Sequence, residues 1–288
     1  YTWHWKELTE VLGVKLRDWA VKRYGVTPQG EAGGEVAGKN VLHRVMDSAG
    51  LAQQFGVDRV EADRRNARLD ALLLAARNRR PVVPFDDKVV AAWNGYMITT
   101  LALAGRLMDE PRYIEAAEAT AGFALGKLHD AESGVLYRDW RAGVRGVPGF
   151  CADYAGIAEG LLALYRVTAS RGWLDRARSL TATMLERFRD DSDGGFYSTP
   201  ADTELWLREK EAVDAATLAP NGVALHVLQQ LATITGNPEY LDQAWRTAAW
   251  AGAQLRDVPS AMPYILIVWP ELPADRPVRQ QQDELTAR

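Results

Sequence analysis

The 288-residue sequence predicts an all-α fold in which helical hairpins stack side by side into an α/α toroid. Two observations predict it. Short motifs recur along the chain at intervals of 60 and then 67 residues, and each interval contains two stretches with apolar residues at helical spacing. A single hairpin buries its apolar face only by stacking on a neighbour. Common helical solenoids repeat every 34 to 47 residues or so, and the longer intervals here favour a closed ring with long loops at one rim.

The repeat is defined by three four-residue motifs. They are Ala-Trp-Asn-Gly at 92–95, Ala-Asp-Tyr-Ala at 152–155 and Ala-Pro-Asn-Gly at 219–222. Nineteen residues after the third position of each motif comes an aromatic residue that opens a second helix, namely Tyr113, Trp173 and Tyr240. This regular spacing predicts hairpin units at about 89–148, 149–215 and 216–258, all within a single toroid domain over residues 1–288.

The individual helices are predicted from apolar spacing and from the residues that break it. Pro111 ends the first helix of one hairpin and begins the second, since proline suits only the first turn of a helix. Gly172 and Pro238 mark the same boundary in the next two hairpins. The remaining predicted elements are helices at 3–24 and 57–79, long loops or short β-hairpins at 129–147 and 190–207, and a fourth inner helix ending near Trp269. Because the chain begins at Tyr1 in mid-pattern, we expect a fragment that holds an incomplete portion of the ring.

Composition excludes several classes of function. With 34 Lys and Arg against 38 Asp and Glu, the net charge of −4 lacks the basic surface typical of nucleic-acid binding, so no nucleic-acid partner is predicted. The longest apolar stretch, 89–105, is too short to span a bilayer and no signal pattern opens the chain, which predicts no membrane association and a cytoplasmic location. The single cysteine, Cys151, excludes a disulfide framework. No metal and no cofactor are predicted, because the sequence has neither His, Cys or acidic residues at the spacing of metal ligands nor a Gly-rich phosphate-binding motif.

Three strings of residues match a known family. They are Gly-Lys-Asn-Val-Leu-His at 38–43, Asp-Asp-Lys at 86–88 followed by Ala-Trp-Asn-Gly at 92–95, and the set Arg208, Lys210, Glu211, Asp214, Ala216 and Thr217. In these strings the chain resembles the spermatogenesis-associated, thioredoxin-domain-containing proteins, which include bacterial YyaL-like proteins. The resemblance extends over roughly residues 1–264.

This resemblance implies an (α/α)6 ring similar to six-hairpin glycosidases and sugar 2-epimerases. It also implies a linked thioredoxin-like domain as a partner, which is absent from this chain. The chain departs from the family pattern at the starts of two predicted inner helices. Ala152 stands where the family tends to have Glu, and residues 218–221 read Leu-Ala-Pro-Asn in place of Pro-Ser-Gly-Asn.

The predicted catalytic acids lie where inner helices begin, around one mouth of the ring, and concave sites between helices are the usual place for small ligands. Glycoside hydrolysis needs two carboxylates about 5 to 9.5 Å apart. Asp86 or Asp87 with Asp153 or Asp214 would supply them. An acid just before a helix is also a favoured cap, so capping is the alternative interpretation of Asp86, Asp87 and Asp153.

Sugar recognition requires stacking surfaces and hydrogen-bonding groups. Trp93 and Tyr154 are predicted to stack on a sugar ring, and packing in the core is the alternative. The other predicted substrate-binding residues are polar and lie within or beside the same motifs: Lys88, Asn94, Arg208, Lys210, Glu211 and Asn221. Pairing with neighbouring acids is the alternative for the two lysines.

Sugar epimerisation or isomerisation instead needs a base that removes a proton next to a carbonyl, and histidine is the usual base. His226 is the predicted one. It lies five residues after Asn221, at the repeat position that Thr99 and Glu159 hold in the other hairpins. Three polar residues at one repeat position would face a shared lumen, and a packed or solvated His226 is the alternative.

Two functions are consistent with the sequence. The first is an enzyme-like domain that binds or processes a small-molecule carbohydrate, by hydrolysis or by isomerisation or epimerisation. The second is a non-catalytic scaffold that binds a protein client or partner for a linked thioredoxin-like domain. The two departures from the family motifs favour the scaffold, whereas the acids and aromatic residues at the shared mouth favour the enzyme.

Overall fold

The computed structural model describes residues 2–81 and 85–272, and its secondary structure is mainly helical. The β structure in these residues is confined to strands of two or three residues and isolated bridges, which confirms the all-α prediction. The chain is divided into two compact units, Tyr1–Asp86 and Asp87–Arg288. The single domain over residues 1–288 stays a prediction.

The first unit packs three helices around an apolar core. They are α1 (Trp5–Tyr24), α2 (Ser48–Phe55) and α3 (Arg59–Asn78), accompanied by the antiparallel strands β1 (Thr2–Trp3) and β2 (Asn40–Val41). Asp47 and Asp58 cap α2 and α3, because each side chain accepts a hydrogen bond from a backbone N–H of the first turn. In the core, the Trp19 ring stacks on the Phe55 ring, with the two ring centroids 4.5 Å apart. Trp19 Nε1 donates to Asn66 Oδ1 at 2.9 Å.

Up to residue 272, where the described part of the chain ends, the second unit contains three helical hairpins and one further helix. The helices are α4 (Ala91–Leu107), α5 (Pro111–Phe123), α6 (Cys151–Thr168), α7 (Arg171–Phe188), α8 (Pro220–Thr235), α9 (Pro238–Asp257) and α10 (Pro263–Val268). The first helix of each hairpin packs on the first helix of the next, in the order α4, α6, α8, α10. We call these four helices the inner row. The second helices, α5, α7 and α9, each pack on their own hairpin partner.

Short strands connect the ends of the first hairpin. Strands β3 (Val89–Val90), β4 (Asp139–Arg141) and β5 (Val144–Arg145) form an antiparallel sheet in that order. The β4–β5 hairpin lies within the Gly-rich stretch 129–147. Among the described residues, no helix is both long and apolar enough to cross a membrane.

Glycine allows the inner helices α4 and α6 to approach at backbone distance. A Cβ atom added to Gly95 would lie 2.3 Å from the carbonyl carbon of Gly156, closer than real atoms come. A Cβ added to Gly160 would lie 2.9 Å from the carbonyl oxygen of Gly95. The glycine of the first sequence motif is therefore a packing residue, which sets the separation of two inner helices.

Candidate functional site

Four polar side chains, one from each helix of the inner row, form the candidate site. They are Tyr96 on α4, Glu159 on α6, His226 on α8 and Tyr264 on α10. His226 Nδ1 lies 2.7 Å from Glu159 Oε1 and 3.0 Å from the Tyr264 hydroxyl oxygen. The Tyr264 hydroxyl donates to the same Glu159 oxygen. We call these residues the inner-row cluster.

The cluster is buried at its carboxylate and open at its imidazole. The Glu159 side chain is 3% exposed and that of His226 is 22% exposed. Burial first, and then the charge of Glu159, raise the pKa of both Tyr96 and Tyr264. Both phenols are consequently protonated at neutral pH, and that of Tyr264 donates its one hydrogen bond to Glu159.

The carboxylate beside Nδ1 determines the tautomer of the neutral imidazole. A carboxylate only accepts hydrogen bonds, so Nδ1 holds the proton and Nε2 keeps its lone pair. Among the described residues, no side chain or backbone group hydrogen-bonds to His226 Nε2. Glu159 and Tyr264 therefore hold the His226 imidazole in position through its Nδ1 atom.

The repeat explains why two members of the cluster meet. Glu159 and His226 occupy the same repeat position on adjacent inner helices, and the structure brings them together. Thr99, the third residue at this position, instead donates its hydroxyl to the Gly95 carbonyl of its own helix at 3.2 Å. Glu159 was not predicted as a site residue, although its repeat position carried the signal. No motif marked Tyr264, which follows the third hairpin.

Asp153, a predicted catalytic acid, is fully buried and bonded to backbone groups at the starts of two helices. Oδ1 accepts from the Ala92 N–H at 3.1 Å, Oδ2 accepts from the Phe150 N–H at 2.9 Å, and Arg138 Nη1 lies 3.5 Å from Oδ2. Burial raises the pKa of Asp153, against the lowering effect of these hydrogen bonds. This environment matches the capping interpretation of Asp153.

Asp214 joins two elements in a similar way. Its Oδ1 accepts from the Ala219 N–H at 2.8 Å, and its Oδ2 accepts from the Tyr264 N–H, also at 2.8 Å. Asp214 thereby holds the start of α10, the helix that presents the Tyr264 hydroxyl to the cluster. Asn221 is buried and exchanges two hydrogen bonds with the Phe196 backbone, at 2.7 and 2.9 Å.

The other residues predicted at the mouth are divided between the surface and the core. Asp86, Asp87, Lys88, Trp93 and Glu211 are exposed. Trp93, at 58% exposure, is accessible for stacking, whereas Tyr154 is buried and its hydroxyl accepts from the Leu136 N–H at 2.8 Å. Asp87 pairs with Arg141. Asn94 Nδ2 donates to the Val90 carbonyl at 2.8 Å.

Lys210 and Arg208, both predicted to bind substrate, hold the loop that follows α7. Lys210 Nζ lies 2.7 Å from Asp190 Oδ2 and donates to the Gly194 carbonyl at 2.9 Å. Arg208 Nη2 donates to the Thr199 carbonyl at 2.6 Å. Burial by itself would raise the pKa of Asp190, but hydrogen bonds from Lys210, Ser192 and the backbone outweigh it and keep the pKa well below its usual range.

Lys210→Met is expected to lower the free energy of unfolding at pH 7 by about 3 kcal/mol, because it leaves the buried Asp190 charge without its cation. A carboxyl whose folded-state pKa is lowered stabilises the fold above its unfolded pKa, about 3.9, and this contribution is lost as the pH falls. The difference in free energy of unfolding between Lys210→Met and wild type is therefore expected to decrease below about pH 4. Urea denaturation at several pH values measures it.

The matched control is Arg189→Met, which breaks a pair in the same turn. Arg189 Nε lies 2.6 Å from Asp191 Oδ1, but the two side chains are 36% and 78% exposed. Exposed pairs contribute about 1 kcal/mol or less, so this variant is expected to remain close to wild type. Equal losses in both variants would contradict a special role for Lys210.

No group of three or more His, Cys, Asp or Glu side chains that could hold a metal ion occurs within residues 2–81 and 85–272.

Comparison with known proteins gives sequence relatives. The chain is 33% identical over 262 residues to spermatogenesis-associated protein 20 of Rattus norvegicus, an alignment that covers 84% of this chain and 33% of the relative. The Homo sapiens protein of the same name is also 33% identical, over 261 residues. An uncharacterised protein of Caenorhabditis elegans is 27% identical over 285 residues, which is 92% of this chain and 39% of that protein. The chain thus spans about one third of the length of the curated relatives it matches first. No family model matches the chain.

Among solved structures, an α-mannanase of glycoside hydrolase family 76 from Bacteroides thetaiotaomicron superposes with a TM-score of 0.54 at 18% identity. The superposition covers 74% of this chain and 63% of the mannanase. This likeness confirms the predicted toroid-type, six-hairpin glycosidase-like fold, of which the chain holds a portion. At this identity the likeness extends to the fold alone.

Proposed function

The chain belongs to the family of spermatogenesis-associated protein 20. From this premise we propose that its helical hairpins bind a small-molecule carbohydrate and catalyse the transfer of a proton between two of its carbon atoms. The observation that supports the proposal most is the His226–Glu159 pair. An imidazole whose Nδ1 contacts a carboxylate and whose Nε2 has no hydrogen-bond partner among the described residues is the usual arrangement of a general base.

The reaction that suits one base is the 1,2-shift of an aldose to a ketose. His226 Nε2 removes the proton from the carbon next to the carbonyl, and the electrons of that C–H bond form an enediolate. A proton passes from the C2 hydroxyl to the carbonyl oxygen, and the imidazolium returns its proton to C1. The Tyr264 hydroxyl already donates to Glu159, so the phenol that suits stabilisation of the oxygen that becomes negative is that of Tyr96.

Two related reactions have less support. Hydrolysis needs two carboxylates, but both oxygens of Asp153 and of Asp214 already accept backbone hydrogen bonds. Epimerisation at one carbon needs a second group that returns the proton to the opposite face. The inner-row cluster contains one imidazole, which favours isomerisation.

The test has two stages. The 288-residue chain is first melted with a panel of mono- and disaccharides, where a sugar at about 100 times its Kd raises the free energy of unfolding by about 2.7 kcal/mol. Trp93→Ala and Asp87→Asn are expected to reduce this shift if the sugar occupies the predicted mouth. Loss of deuterium from C2 of the sugar, either by transfer to C1 or by exchange with solvent, is then followed by NMR and reports proton transfer directly.

His226→Ala is expected to abolish exchange, and Glu159→Gln to slow it by about 100-fold or more while sugar binding is retained. The control is His43→Ala, which removes an exposed histidine of the first unit. Exchange at the wild-type rate in His226→Ala would refute the assignment of the base.

The alternative function, a non-catalytic scaffold for a protein partner, is favoured by an exposed apolar loop. Trp206 is 96% exposed, and with Leu205 and Leu207 it lines a groove of about 360 Å³ that reaches Phe150. A folded chain that responds to no sugar would favour this function. The linked thioredoxin-like domain as the partner and the cytoplasmic location both stay predictions.

A further inference from the structure

A groove of about 360 Å³ lies on the first unit between helices α1 and α3. The residues that determine its chemistry are Lys15 and Trp19 from α1 and Glu61, Arg64, Arg65 and Arg68 from α3. Four cations against one acid give the lining a net charge of +3. The groove therefore favours an anionic ligand, and this preference is unrelated to the chemistry of the inner-row cluster.

Two of the cations are held in place by the one acid. Arg64 Nε donates to Glu61 Oε2 at 2.8 Å, and Arg65 Nε donates to Glu61 Oε1 at 2.7 Å. These hydrogen bonds, Arg65 first, lower the pKa of Glu61, which is thus ionised at neutral pH. Arg65 also lies over the buried Trp19 ring, 5.0 Å from its centroid. The pairing fixes two guanidinium groups at the groove.

The other two cations lack such a partner. Lys15 and Arg68 are exposed, and neither forms a hydrogen bond or ion pair with any residue in the described part of the chain. Each charge is therefore free to meet a ligand. Guanidinium groups match the oxygen geometry of phosphate through two parallel hydrogen bonds, and a lysine adds a mobile point charge.

We propose that this groove binds a small molecule with two linked phosphate groups. Its volume is within the range of about 300 to 1,000 Å³ typical of small-ligand sites. The basic patch is also short, since the neighbouring exposed acids Asp63 and Asp70 lie on the same helix and pair with Arg59 and Arg23. A nucleic-acid backbone needs a longer basic surface, which favours a compact anion.

The experiment titrates inorganic pyrophosphate into the 288-residue chain by calorimetry, at constant ionic strength, and compares it with citrate. The double variant Lys15→Gln/Arg68→Gln is expected to weaken pyrophosphate binding by at least 10-fold. The matched control, Lys22→Gln/Arg59→Gln, removes the same charge from exposed positions of the same helices outside the groove. It is expected to bind within twofold of wild type.

Three results would overturn the proposal. They are the absence of pyrophosphate binding to the folded wild-type chain, equal weakening in both double variants, and citrate binding as tight as that of pyrophosphate. Circular dichroism confirms that each variant is folded. Glutamine is a good helix former, so these exposed substitutions keep the helices.

Discussion

Gly95→Val is expected to lower the free energy of unfolding of the second unit by about 3 kcal/mol or more. The first side-chain atom would meet the backbone of Gly156 at 2.3 Å, and backbone atoms of a packed helix have no rotamer by which to withdraw. Helices α4 and α6 would have to separate, which would also move Tyr96 away from Glu159. Urea denaturation followed by circular dichroism measures the loss.

Gly122→Ala is the matched control for this substitution. Gly122 lies in α5, and no heavy atom is found within 4 Å of a Cβ placed there. Because alanine restricts the unfolded chain more than glycine does, the control is expected to gain about 0.4 to 1 kcal/mol. A Gly95→Val protein that unfolds at the wild-type urea concentration would contradict the close packing of α4 on α6.

Asp153→Ala is expected to cost about 3 kcal/mol of unfolding free energy at pH 7. The substitution leaves the N–H groups of Ala92 and Phe150 without their acceptor, and each unsatisfied buried group costs about 1 to 3 kcal/mol. Relief of the buried charge offsets part of this cost. The measurement is again urea denaturation.

The same variant discriminates between the two interpretations of Asp153. If Asp153 is a cap, Asp153→Ala is expected to lower the free energy of unfolding strongly. It is expected to change the sugar-induced shift in melting temperature only weakly, when folded variant and folded wild type are compared. Asp63→Ala, at an exposed acid of α3, is expected to stay within about 0.5 kcal/mol of wild type. Unchanged stability in Asp153→Ala together with lost proton exchange would instead support the catalytic interpretation.

The hairpins could be predicted because the residues that begin and end their helices are recognisable in the sequence itself. Pro111 and Pro238 each stand at the first residue of a helix in the structure, as the rules for helix starts require. The contact of Gly95 with Gly156 was not predictable in the same way. A glycine inside a helical pattern lowers helix propensity wherever it occurs, and only the packed partner reveals why it is needed.

The candidate site was predicted in part for a similar reason. His226 and its shared position with Glu159 follow from the period of the repeat, which is a property of the sequence. Asp153 was ambiguous, because a cap and a general acid both require a carboxyl group at the start of a helix. Tyr264 could not be predicted from the repeat, because it lies beyond the last of the three motifs and has no equivalent residue in the other hairpins.

The inner-row cluster takes each of its members from a different inner helix, so its geometry depends on how the helices pack and not on the lengths of the loops between them. The motif intervals of 60 and 67 residues already differ by seven residues, yet Glu159 and His226 still meet at 2.7 Å. The loops between the hairpins can therefore differ in length without moving these two side chains apart. Under the proposed function, the inner-row cluster would keep its geometry while the loops that contact the substrate change.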